Sequence, residues 1–185
     1  VWMGGVTHEL DLIRRASGSK DLPGPQRYDE VLADRWRELC HRNADDKRRV
    51  VVDVIAGTSA GGLNGSLLAT AISNGSTLDP DGDNGPWLRQ KWVALGSLEV
   101  GKLVPTGEKS TSVLDGNYFL KELDSLLKGV AEAGELSAEE PVTLFVTSSG
   151  LGVQQFEAKD AAGQVFVVPD HRYLYAFTSE NAAKY

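Results

Sequence analysis

The residues best suited to chemistry lie in Gly57-Thr58-Ser59-Ala60-Gly61, a G-x-S-x-G pattern. A serine between two glycines at this spacing suits an activated nucleophile: its oxygen attacks a carbonyl, an acyl-enzyme forms, and water releases the acid. The setting matches that chemistry. Val50 to Ala56 holds five β-branched residues in seven and reads as a strand buried on both faces. Beyond the glycines, Leu63, Leu67, Leu68, Ala71 and Ile72 follow helical spacing. In such a nucleophile elbow the serine backbone is strained, so Gly57 and Gly61 must be small. Ser59 would stand above the sheet at a helix N-terminus, where the dipole and the amide of Ala60 favour negative charge. Gly57 to Ser66 contains no lysine, so the lysine-bearing phosphate loop is not met.

A second glycine turn precedes the first. Val1-Trp2-Met3 is strand-like and shorter than a typical strand of about five or six residues, so the chain reads as opening inside a strand. Gly4-Gly5 follows, and then Val6, Leu10 and Ile13 at helical spacing, with Glu9 and Asp11 early and Arg14 and Arg15 late. The amides of Gly4 and Gly5 could hold an oxyanion. Ser17 to Gln26 is a polar loop, and Tyr28, Val31, Leu32, Trp36, Leu39 and Cys40 form a helical stripe that puts the lone cysteine in buried packing. Trp87 to Leu95 suits a short helix, and Phe119 to Val130 a longer one begun near Asp115. Val142 to Thr147 is a buried-type strand. Val153 to Glu157 and Val165 to Val168 flank a hairpin turn at Asp160 to Gly163, and Tyr173 to Phe177 is a further strand. This order implies an α/β layered fold with a mainly parallel sheet and a β-hairpin late in the chain.

At 185 residues the chain is one domain. Its net charge of -7 and pI near 5.0 argue against nucleic acid as a partner and give no general attraction to anionic membranes. No apolar run approaches the ~18 residues of a membrane span. One cysteine excludes an intramolecular disulfide and a cysteine-rich zinc site. Asp79 to Asp83 resembles the start of a calcium loop, but its sixth position is Asn84 and its twelfth is Gln90, where glycine and glutamate are required. Neither a metal nor another cofactor is expected.

A nucleophilic serine needs a base, and two designs suit the residues. One is a triad of Ser59, Asp115 and His171 in the chain order of an α/β-hydrolase; against it, that fold places several strands before its serine. The other is a Ser-Asp dyad. Here the chain resembles the patatin-like phospholipases: Val1-Trp2-Met3-Gly4-Gly5-Val6 is similar to that family's glycine-rich oxyanion segment, and Asp53 to Gly65 to its nucleophile segment. Met3 stands at the place of the family's first glycine and Thr7 at that of its arginine.

The resemblance implies a layered α/β/α fold and metal-free hydrolysis of lipid or phospholipid acyl esters. Ser59 would be the nucleophile, with Gly4, Gly5 and Ala60 as oxyanion donors and Gly57 and Gly61 shaping the elbow. It further implies transient membrane-surface contact and a cytoplasmic or membrane-peripheral location. The family's dyad aspartate follows several strands beyond the elbow, in an Asp-Gly-Gly or Asp-Gly-Ala motif. Asp115-Gly116-Asn117 reads instead as a helix start, so the base is expected past Tyr185 and residues 1 to 185 as an incomplete catalytic domain. A binding module whose glycine turns hold an anion without catalysis is the alternative from another class.

Overall fold

The computed structural model describes residues 2–18, 30–41, 48–79, 87–106, 112–134 and 140–179. In chain order the elements are α1 (Trp2–Gly18), α2 (Glu30–Cys40), β1 (Val54–Thr58), α3 (Ala60–Ser73), α4 (Trp87–Leu95), α5 (Gly116–Glu132), β2 (Thr143–Lys159) and β3 (Val165–Thr178). They form a mixed α/β structure with a three-stranded sheet in the order β1-β2-β3. β1 runs parallel to β2, with Val54 opposite Thr143 and Thr58 opposite Thr147, whereas β2 and β3 form a long antiparallel hairpin.

α3 is the centre of the packing. It touches β1 and β2 on one side, while α1 and α5 pack against its other sides. A helix enclosed in this way must be small or apolar around most of its circumference, and Leu67, Leu68, Ala71 and Ile72 are buried along with Gly62, Asn64 and Gly65. Its glycines set how closely it lies on the sheet. A Cβ at Gly65 would come within 2.8 Å of the Ile55 methyl, and one at Gly62 within 3.1 Å of Val146. The core continues through Leu78, Leu88, Leu126, Val130 and Leu144. α5 begins as its sequence predicts, with the Asp115 carboxylate accepting from the amides of Asn117 and Tyr118. The expected helix at Trp87 to Leu95, the turn at Asp160 to Gly163 and the burial of Cys40 are also found.

Other expectations are corrected. Trp2 and Met3 begin a helix instead of ending a strand, and Gly4-Gly5 lies inside that helix. The glycine pair is tolerated because it falls in the first turn, and the stronger helix formers come further along, from Glu9 to Arg15. The sheet is not mainly parallel, since the hairpin supplies most of its pairing; the separate strands expected at Val142 and Val153 are one strand with a bulge between Ser149 and Gln154. β1 spans Val54–Thr58 and is covered on one face only. Ile55 and Gly57 face α3, while Val54, Ala56 and Thr58 are exposed on the other face, so the β-branched run overstated the burial.

α1 also reverses its expected polarity. Thr7, His8, Asp11, Arg14 and Ser17 are buried, and Val6 and Leu10 face outward. The cause is a charge cluster. Asp11, fully buried, accepts from Arg14 at 2.7 Å and Arg15 at 3.1 Å, and its second oxygen also accepts from the amide of Leu78 at 3.0 Å. Arg14 in turn donates to the carbonyl of Ser76 at 3.0 Å. α1 is thereby fastened to the segment that leaves α3. Asp11→Ala strands two largely buried guanidinium groups, and urea unfolding should show a loss of about 3 to 5 kcal/mol.

Candidate active site

Ser59 occupies the one-residue step between β1 and α3 with φ 54 and ψ -124, and among the described residues it is the non-glycine with positive φ. Such a conformation is disfavoured by about 1 to 3 kcal/mol and persists only when its surroundings enforce it. A serine in this position ordinarily bonds its hydroxyl to the first-turn amides of the helix it caps. Ser59 makes no side-chain cap bond. Ser59 is exposed, and its hydroxyl is not committed to holding the helix.

The enforcement comes from Gly57. A Cβ there would overlap the carbonyl carbon and oxygen of Gly61 and approach the Gly62 nitrogen to 2.5 Å, all of them backbone atoms. β1 therefore meets the first turn of α3 at a distance only glycine permits. Gly61 differs from Gly57. A Cβ at Gly61 would meet only the Met3 terminal methyl, at 3.3 Å, the free end of a flexible side chain.

The Met3 contact brings the two expected glycine segments together. Gly4 is buried against the indole of Trp92, so that an added Cβ would lie 2.8 Å from the ring. It belongs to the first turn of α1, whose amides lack intrahelical acceptors. Gly5 lies one residue further into the helix and is exposed, with open space where a Cβ would be. Ala60 follows Ser59 as the first residue of α3. Beside the elbow, the hydroxyls of Thr58 and Thr147 lie 2.5 Å apart and join β1 to β2.

The expected triad partners are employed elsewhere. Asp115 caps α5, and the His171 ring lies 3.1 Å from the carbonyl of Gly150 on the exposed hairpin. β2 separates β1 from β3, which puts the backbone of β3 about 10 Å from that of β1. Among the described residues no carboxylate or imidazole is hydrogen-bonded to Ser59. His8 is buried in α1, and Asp79 accepts from the amide of Trp87 and so holds the start of α4. The rest of the calcium-like stretch, residues 80–86, lies outside the described residues. An apolar cleft of about 260 Å³ opens between α3, α5 and the hairpin, lined by Thr70, Leu127, Val142 and Phe177. It sits at the opposite end of the strands from Ser59, as the pairing of Val54 with Thr143 and of Thr143 with Thr178 requires.

No protein-family profile matches the chain, and no solved structure matches it. Among curated proteins, an uncharacterized membrane protein of Mycobacterium tuberculosis, Rv3479, is 30% identical over 196 aligned residues. The alignment covers all of this chain and 18% of that relative's length. Among the described residues no helix is long and apolar enough to cross a membrane.

Two residues beside the elbow escaped the sequence reading. Asn64 donates to the carbonyl of Ala60 at 2.8 Å and accepts from the indole of Trp92 at 2.9 Å. The available signal was a buried-face asparagine four residues after Ala60 in an otherwise apolar helix. The unequal crowding at the two elbow glycines gives a direct contrast. Gly57→Ala should lower the thermal midpoint by the equivalent of about 1 to 3 kcal/mol or more, while Gly61→Ala, which displaces only the Met3 methyl, should stay within about 1 kcal/mol of the parent.

Proposed function

We propose that this chain carries the nucleophile of a serine acyl hydrolase acting on carboxylic esters of lipids. The supporting observation is the backbone of Ser59, held at positive φ between β1 and α3 with its hydroxyl not used for capping. Ser59 attacks the ester carbonyl and becomes acylated, and water then releases the acid. The developing oxyanion is held by the amide of Ala60 at the positive end of α3 and by amides of the Gly4-Gly5 segment, each contact contributing roughly 2.7 to 4 kcal/mol to the transition state. Asp115 caps α5 and His171 sits against the Gly150 carbonyl on the hairpin, so neither is the base in this reading.

The resemblance to patatin-like phospholipases supports lipid as the substrate class. The relative's name, a membrane protein, fits an enzyme that meets its substrate at a lipid surface. In the same reading the fold is a patatin-like layered α/β/α domain, whose second layer covers the exposed face of Val54, Ala56 and Thr58.

Two variants test the assignment in the full natural polypeptide. Ser59→Ala should reduce hydrolysis of a short-chain activated ester at least 10³-fold. Ser59→Gly should do the same and also raise the thermal midpoint, because glycine adopts positive φ without strain. Turnover within tenfold of the parent in either variant contradicts the assignment.

A further inference from the structure

We infer that Asn64, together with the indole of Trp92, is the positioning residue that sets the gap between the two oxyanion donors, Gly4 on α1 and Ala60 on α3. This rests on the acyl-hydrolase reading above and adds to it roles for Asn64 and Trp92, which lie outside Gly57 to Gly61 and Gly4-Gly5.

The geometry leaves Asn64 a single arrangement. An indole nitrogen can only donate, so the atom 2.9 Å from Trp92 Nε1 is the amide oxygen of Asn64. With the oxygen committed, the amide nitrogen faces the carbonyl of Ala60 at 2.8 Å. Asn64 is 3% exposed, so no bulk water substitutes for either partner. One side chain thus fixes both the residue that follows the nucleophile and the ring beside it.

That ring carries the link to α1. Trp92 packs on the Cα side of Gly4, where a Cβ would lie 2.8 Å from the indole and 3.5 Å from the Asn64 oxygen. Gly4 is therefore seated on the indole, the indole is held by Asn64, and Asn64 is held by Ala60. The chain Gly4, Trp92, Asn64, Ala60 runs from one donor to the other and ends beside Ser59. An oxyanion donor acts only if it lies within hydrogen-bond distance of the charge that develops in the transition state, and a displacement near 1 Å can lower turnover about 10²-fold. A rigid spacer between the N-terminal turns of the two helices supplies that accuracy. Neither Asn64 nor Trp92 is required to touch substrate.

The test compares Asn64→Leu, Trp92→Phe and the double variant in the full natural polypeptide, with kcat and KM for a short-chain activated ester measured separately. Asn64→Leu keeps the branched shape at a somewhat larger volume and removes both bonds; kcat should fall 10- to 100-fold with KM within about twofold. Trp92→Phe keeps a smaller ring beside Gly4 and removes the indole donor, so kcat should fall about three- to tenfold. Because both act through one bond, the double variant should be no slower than Asn64→Leu alone. If Asn64→Leu does not fold, Trp92→Phe decides: in folded protein its loss should appear in kcat with KM within about twofold. Parental kcat in the folded variants, equal changes in kcat and KM, or fully multiplicative losses in the double variant would overturn the inference and leave the acyl-hydrolase reading standing. A parent polypeptide without esterase activity overturns both.

Discussion

The contact between Gly57 and the backbone of Gly61 and Gly62 is the constraint on which the rest depends. β1 and α3 meet without a loop, and one residue makes the reversal. At that distance the strand's last turn admits no side chain at position 57, and the residue at the step must take positive φ. The sequence places a serine there, where glycine would be unstrained. A residue kept in an unfavourable conformation with its hydroxyl free of capping duty fits a chemical role better than a structural one.

Strain of this kind needs a rigid surround, and the packing of α3 provides it. The helix is buried on most sides, is seated on β1 and β2 through Gly62 and Gly65, and is flanked by α1 and α5. α1 is anchored at its middle and at its N-terminal end. The Asp11 cluster ties its middle to the chain leaving α3, while Met3 and Gly4 lie against Gly61 and Trp92. The polar network faces inward, which turns Val6 and Leu10 outward and fixes which side of the helix meets the elbow. Position along the chain thereby becomes position in space: Met3 and Gly4 of α1 end against Gly61 and Asn64 in the opening turns of α3.

Local signals in the sequence were reliable where local chemistry decides the outcome. The G-x-S-x-G turn, the Asp115 cap, the helix at Trp87 to Leu95 and the hairpin turn at Asp160 each follow from a few neighbouring residues. Readings that needed distant partners fared worse. Val1 to Met3 looked like a strand because of its apolar residues, yet Trp2 and Met3 open a helix whose stronger formers, Glu9 to Arg15, lie in its later turns. The β-branched run before Gly57 suggested burial on both faces, although burial depends on what is stacked on the sheet; here α3 covers one face. Parallel pairing was inferred from element order, and the long antiparallel hairpin outweighs it. Asn64 and Trp92 were illegible for the same reason, since their link joins residues 28 apart and matters only once α1 is folded against them.

The central claim is that the Ser59 hydroxyl is an activated nucleophile. The most direct measurement is covalent: the native full-length polypeptide is treated with a fluorophosphonate, and the adduct is located by peptide mass spectrometry, with a heat-unfolded sample as control. The account predicts one adduct, on Ser59, present in the folded protein and lost on unfolding. An unmodified Ser59 in folded protein that binds phosphate saturably would contradict it and identify the elbow as an anion-binding turn.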